Sequence, residues 1–141
     1  MGIINLYKNF ITYCPNELKE ALLLFTDETN YPIHVHCTQG KDRTGLVIFF
    51  ILSICGVPED LIINDYAKTK DGLSIVYDAM LEDLHRNGLD SSFMDASPKN
   101  IIQLIEYIKH HYGSVESYLI DIGIDLALQN KIRNILCVTE L

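Results

Sequence analysis

Basic side chains are scarce in this sequence. Eleven lysines and arginines face 19 aspartates and glutamates, a formal net charge of −8 over 141 residues. A field of that sign repels nucleic acid and anionic membrane surfaces, so neither is expected as a general electrostatic partner. Long apolar runs are lacking too. The most apolar stretch, Leu46 to Cys55, falls well short of the about 20 residues that a membrane-spanning helix needs, and it is expected as a buried helix. There are only four cysteines, Cys14, Cys37, Cys55 and Cys137, and no cleavable leader is expected ahead of them. That usage suits reduced thiols in a cytoplasmic protein better than a disulfide scaffold. No repeat or low-complexity tract occurs. With 48% apolar residues, a chain of this length is expected to form one compact domain over residues 1–141 rather than a disordered segment.

What the sequence does contain is the stretch His36-Cys37-Thr38-Gln39-Gly40-Lys41-Asp42-Arg43-Thr44-Gly45, which follows an apolar extended segment and runs into an apolar helix. A loop in that setting can wrap a phosphate, because backbone N–H groups and the helix N-terminus converge on it. The same partial positive charge lowers a cysteine pKa from about 8.5, which would make Cys37 a thiolate nucleophile near neutral pH. Arg43 follows Cys37 by six residues and offers a planar fork to two phosphate oxygens, a geometry that lysine cannot supply. Gly40 suits a turn with positive φ, and Gly45 is expected to let the helix approach the loop closely. The Thr44 hydroxyl is expected to hydrogen-bond the thiolate, and His36 to order the loop through its second nitrogen.

This stretch resembles the signature of the cysteine-dependent protein tyrosine phosphatase superfamily: His-Cys, five residues, Arg, then Thr or Ser and Gly. Within it, Gly40-Lys41-Asp42-Arg43-Thr44-Gly45 is similar to the loops of atypical tyrosine and phosphoinositide phosphatases of bacteria, fungi and protists. Ala96-Ser97-Pro98 and the run Tyr112 to Leu119 resemble the C-terminal helices of that branch. The resemblance implies an α/β fold in which this chain is the C-terminal, mainly helical part of the domain, with one central strand leading into the phosphate-binding loop. Only 36 residues precede Cys37, whereas such phosphatases carry a longer segment with most of a sheet there. Marginal folding alone, pairing with a second copy, and an incomplete gene product all stay open.

The resemblance also implies a mechanism without cofactor or metal. Cys37 attacks phosphorus, and Arg43 with the backbone of Thr38, Gln39, Gly40, Lys41 and Asp42 holds the phosphate oxygens. Water then releases the cysteinyl-phosphate. Asp42 is the candidate general acid, although the adjoining Lys41 and Arg43 favour its ionised form unless bound phosphate offsets them. Lys41 is read as a cation at the loop rim, able to pair with a second phosphate as in loops similar to those of the myotubularin family. Phosphotyrosine proteins and phosphoinositides both stay open as substrates, phosphoserine and phosphothreonine with them. A phenol leaves with a pKa of about 10 and so tolerates a poor general acid better than an alkyl alcohol does.

Apolar spacing at Leu18, Ala21, Leu22 and Phe25 predicts a helix after Pro15 that ends before Asn30, and Ile33 to His36 reads as the strand. Further helices are expected over about Thr44–Cys55, Glu59–Lys68, Ser74–Asn87, Pro98–Tyr112, Val115–Ile122 and Asp125–Val138, with a long loop from Gly88 to Ser97. Plainer readings stand beside the sharp ones. His34, His36 and Cys37 lack a fourth metal ligand at any usual spacing. His110-His111 suits an exposed helix end, Lys68 and Lys70 a solvated one. Cys14 could shield Cys37 as a disulfide, though ordinary thiols at Cys14, Cys55 and Cys137 are the simpler reading. The signature itself could belong to an inactive phosphate-binding module or a vestigial loop in a helical interaction protein.

Overall fold

The structure, a computed structural model, describes residues 2–138. Its α-helices are α1 (Ile3–Tyr13), α2 (Pro15–Leu23), α3 (Arg43–Ile54), α4 (Glu59–Leu73), α5 (Tyr77–Arg86), α6 (Pro98–Tyr112), α7 (Val115–Asp121) and α8 (Leu126–Leu136). Short 3₁₀ turns follow α2 and α4 and break the 88–97 segment at Ser91–Met94. Among the described residues no helix is long and apolar enough to cross a membrane.

The expected α/β arrangement with a central strand is not what forms: no strand occurs among the described residues. Residues 33–36 are extended and keep the alternation of a strand, with Ile33 and Val35 half-buried and His34 and His36 exposed. An extended segment becomes a strand only when a neighbour completes a hydrogen-bond ladder, and every other described element is helical or a turn. The apolar side of the segment packs on the helical core instead.

Helix α3 is the centre of that core. Leu46, Phe49, Phe50, Ile51 and Ile54 are buried along it, as a helix apolar on all sides requires. Around it lie Ile3, Tyr7 and Ile11 of α1, Leu18 and Leu22 of α2, Ile101, Leu104 and Ile108 of α6, and Ile132 of α8. The Tyr118 ring stacks on Phe50 with centroids 5.4 Å apart, and its hydroxyl donates to the Ile11 carbonyl at 2.9 Å. Arg133 Nε donates to the Ile54 carbonyl at 2.8 Å, satisfying an acceptor that the C-terminus of α3 leaves free. This packing fixes the axis of α3, whose first residue is Arg43.

Local signals set most helix ends. Ser97 caps α6 by accepting from Lys99 N–H, Pro98 fills its first position, and Gly113 ends it at φ 86°. Ser114 and Asp125 cap α7 and α8 in the same way. Two expected boundaries move. The helix from Glu59 continues through Gly72 to Leu73, and the one expected at Ser74 opens with a 3₁₀ turn before α5. Helix α1 lies outside the expected set altogether.

Candidate active site

The loop from Cys37 to Asp42 leaves the extended segment and enters α3 at Arg43. Gly40 takes φ 70°, the left-handed turn expected of it, and its N–H points back to Cys37 Sγ at 3.3 Å. Partial burial opposes ionisation of Cys37, but hydrogen bonds from the Thr44 hydroxyl and the N–H groups of Thr44, Gly40 and Gln39 prevail and bring the thiol down to about 7. The Thr44 hydroxyl is buried and has no ordinary hydrogen-bond partner, so its proton is available to the sulfur. Arg43 is exposed and folds back across the loop mouth, where its guanidinium donates to Thr38 Oγ1 at 3.2 Å.

Lys41 is not at the rim. Only 1% of its surface is exposed, and its ammonium is bonded to Asp42 Oδ1 at 2.8 Å, Asp42 Oδ2 at 2.9 Å and the Phe93 carbonyl at 2.7 Å. Asp42 is thereby held from behind, and Oδ1 also accepts the Tyr7 hydroxyl at 2.8 Å. Tyr7 and Tyr66 share a hydrogen bond of 2.7 Å between their hydroxyls, with rings edge to face. Burial first, then the neighbouring Tyr66 and Asp42, raise Tyr7 far above the ordinary tyrosine range, so it stays protonated. Tyr7 and Tyr66 escaped the sequence reading because they lie 35 and 24 positions from Asp42. The spacing of Ile3, Tyr7 and Ile11 at four-residue intervals was the available signal.

Gly45 meets the Tyr66 ring rather than the loop, and a Cβ there would sit 3.6 Å from it, an ordinary contact. His36 is exposed beside His34, ring centroids 5.3 Å apart. Among the described residues no group of His, Cys, Asp and Glu side chains is placed to hold a metal ion, and all four cysteines are free. His110 and His111 lie exposed in the last turn of α6, and Lys68 is exposed on α4 beside Asp65.

Cys37, Thr38, Gln39, Asp42 and Arg43 line one side of a cleft of about 460 Å³. Its far wall is Asp83 and Leu84 of α5 with Asn87, Leu89 and Phe93 beyond it, and Leu6 and Asn9 of α1 close the end. Arg43 is the only lysine or arginine among the lining residues. Such a site can hold one anionic group against Cys37 and an apolar group beside it.

The sequence matches a family described as the tyrosine phosphatase family over residues 1–138. It is 27% identical over 120 residues to the triple specificity protein phosphatase PtpB of Mycobacterium tuberculosis, covering 74% of this chain and 44% of that one. It is 30% identical over 61 residues to a tyrosine-protein phosphatase of Nostoc commune, covering 43% and 21%. The inositol diphosphatase DSP2 of Arabidopsis thaliana is 28% identical over 92 residues, covering 64% and 36%. The matched part spans less than half the length of each of these relatives. Since the family match runs over nearly the whole sequence, the chain belongs to the tyrosine phosphatase family.

Proposed function

We propose that this chain hydrolyses phosphomonoesters through a cysteinyl-phosphate intermediate, and that aryl phosphates of the phosphotyrosine type suit its cleft best. The observation that carries the reading is the surroundings of Cys37 Sγ: the Gly40 N–H at 3.3 Å, the Thr44 hydroxyl, and a thiol brought down to about 7. Sγ attacks phosphorus as the bond to the ester oxygen breaks. Arg43 releases Thr38 and turns its fork to two of the equatorial oxygens, where the loop N–H groups also point. Asp42 supplies the proton to the leaving oxygen, and water then hydrolyses the S–P bond. A thiolate mechanism needs a reducing compartment, and a cytoplasmic location goes with it.

The substrate preference follows from charge and surface. With Lys41 buried against Asp42, a second phosphate in the cleft would meet Asp42 and Asp83 rather than a cation. Leu6, Leu84, Leu89 and Phe93 instead offer an apolar wall to a phenol ring. The relatives named tyrosine phosphatases fit this preference, while those named inositol diphosphatases keep the other substrate class in the comparison.

A second reading, phosphate binding without turnover, is favoured by one observation: the Asp42 carboxylate already accepts from the Lys41 ammonium and the Tyr7 hydroxyl. Hydrolysis of p-nitrophenyl phosphate by the purified chain and by Cys37→Ser separates the two. Turnover that disappears with Cys37→Ser supports the enzyme. Equal background rates, with orthophosphate or vanadate still raising the melting temperature, would leave the binding module.

A further inference from the structure

Three acidic or basic side chains line the cleft, Asp42, Arg43 and Asp83, and two of them are matched when a phosphate is bound. Asp42 has the buried Lys41 ammonium behind it, and in the proposed reaction Arg43 turns its fork to the phosphate. Asp83 is left. It is exposed on α5, on the wall opposite Cys37, and among the described residues its carboxylate has no ion-pair partner. The neighbouring Glu82 is taken by Arg86. Asn87, which ends the helix, gives its side-chain N–H to the Asp83 backbone carbonyl at 2.8 Å rather than to the carboxylate. The chain as a whole carries a formal charge of −8, so this uncompensated carboxylate adds to a field that already attracts cations.

We propose that Asp83 is a specificity-determining residue that recognises a lysine or arginine flanking the phosphotyrosine of a peptide substrate. The inference rests on the phosphotyrosine-type reading of the cleft and deepens it by naming the surrounding sequence. With the phosphate at the loop and the phenol ring against Leu84, Leu89 and Phe93, the peptide backbone lies at the cleft mouth, where the exposed Asp83 adjoins the buried Leu84. At about 460 Å³ the cleft is larger than a phosphophenyl group, so a flanking side chain can share it. A long cationic side chain brings its head to Asp83 while its methylene stem lies along the apolar wall. A flanking glutamate meets repulsion at the same place. Because the contact is remote from the breaking bond, it is made equally in the ground and transition states and acts on KM rather than kcat.

The test uses synthetic phosphotyrosine peptides of one length, identical except for lysine, glutamine or glutamate beside the phosphotyrosine, with the full chain and its Asp83→Asn, Asp83→Lys and Glu116→Gln variants. Glu116 is exposed on α7 and does not line the cleft, so Glu116→Gln changes the net charge as Asp83→Asn does without touching the wall. The lysine peptide is expected to have the highest kcat/KM in the unsubstituted chain. Its ratio to the glutamate peptide should fall about threefold in Asp83→Asn and about tenfold in Asp83→Lys, through KM and less so at high salt. Glu116→Gln is expected to keep the ratio of the unsubstituted chain. A ratio unchanged by Asp83→Asn would overturn the inference, and so would an equal fall in Glu116→Gln, which would assign the preference to the general field. Turnover of p-nitrophenyl phosphate that depends on Cys37 separates that failure from failure of the phosphatase reading. Where such turnover is present, only the role of Asp83 is lost; where the unsubstituted chain shows none, the reading and this inference fall together.

Discussion

The ammonium of Lys41 lies 2.8 and 2.9 Å from the two carboxylate oxygens of its chain neighbour Asp42, and the lysine side chain has no exposed surface. Adjacent residues rarely face each other, so the loop must turn tightly enough to bring both side chains to its inner side. The pair joins the loop to the 88–97 segment through the Phe93 carbonyl and to α1 through Tyr7.

Lys41→Met should therefore act on stability first. Removing one partner of a buried ion pair leaves a charge without compensation and strands the Phe93 carbonyl, at a cost of about 3 kcal/mol. That figure is at the low end of such changes because Asp42 keeps 18% of its surface in contact with solvent. An exposed rim lysine would change stability by no more than about 0.5 kcal/mol. Urea denaturation of the two proteins distinguishes these outcomes.

The Cys37 thiol gives a pH signature. Its folded value of about 7 lies below the ordinary 9.0, so the thiolate contributes stability that is complete above pH 9 and lost as pH falls through 7. Alkylation of Cys37 by iodoacetamide should accelerate with a midpoint near pH 7 and be slowed by orthophosphate. Thr44→Val removes the hydroxyl that favours the thiolate and should move that midpoint upward. An unchanged midpoint in Thr44→Val would assign the shift to the backbone N–H groups alone.

Two glycines in the signature should respond in opposite directions. Gly40→Ala forces a side chain into φ 70°, where nothing crowds the new Cβ but the backbone itself is strained by about 1 kcal/mol. Since its N–H is one of the groups on Sγ, relaxation of that strain should also slow turnover. Gly45→Ala sits inside α3 with its new Cβ in ordinary contact with Tyr66, and should gain about 0.5 kcal/mol from the lower entropy of the unfolded chain. Thermal melts of both variants check the signs.

The contrast between these glycines marks how far the sequence could be read. Gly40 was legible because a turn is a local demand, and so were the starts of α6, α7 and α8, where a capping side chain acts within three residues. Gly45 was not, since its neighbour Tyr66 comes from α4 and lies 21 positions away. Lys41 misled for the same reason: a loop has no periodicity to say which side chains point inward, and the Phe93 carbonyl that receives its ammonium is 52 positions on. The Ile33–His36 alternation suggested a strand, and no strand forms there. Whether extended backbone becomes a strand depends on a partner, and the local pattern says nothing of one.

The far wall of the cleft offers the sharpest test of the proposed substrate preference. Asp83 is exposed on α5 and lines the same cleft as Cys37 and Arg43, with no ion-pair partner among the described residues. Its carboxylate repels any phosphate other than the one held by the loop, and replacing it by lysine changes the local charge by two. At a separation of about 8 Å in water-like surroundings, that change acting on a phosphate dianion is worth about 2 kcal/mol before screening, and about half that at moderate salt. Asp83→Lys should accordingly raise kcat/KM for a doubly phosphorylated inositol substrate about fivefold, and leave that for p-nitrophenyl phosphate within about twofold, the gain shrinking as salt is added. The position is solvent-exposed, so stability should be unaffected. A fivefold gain on both substrates would mean that the wall sets general attraction rather than preference. No gain on either would mean that a second phosphate never approaches α5, and the preference for aryl monophosphates would then rest on the apolar wall alone.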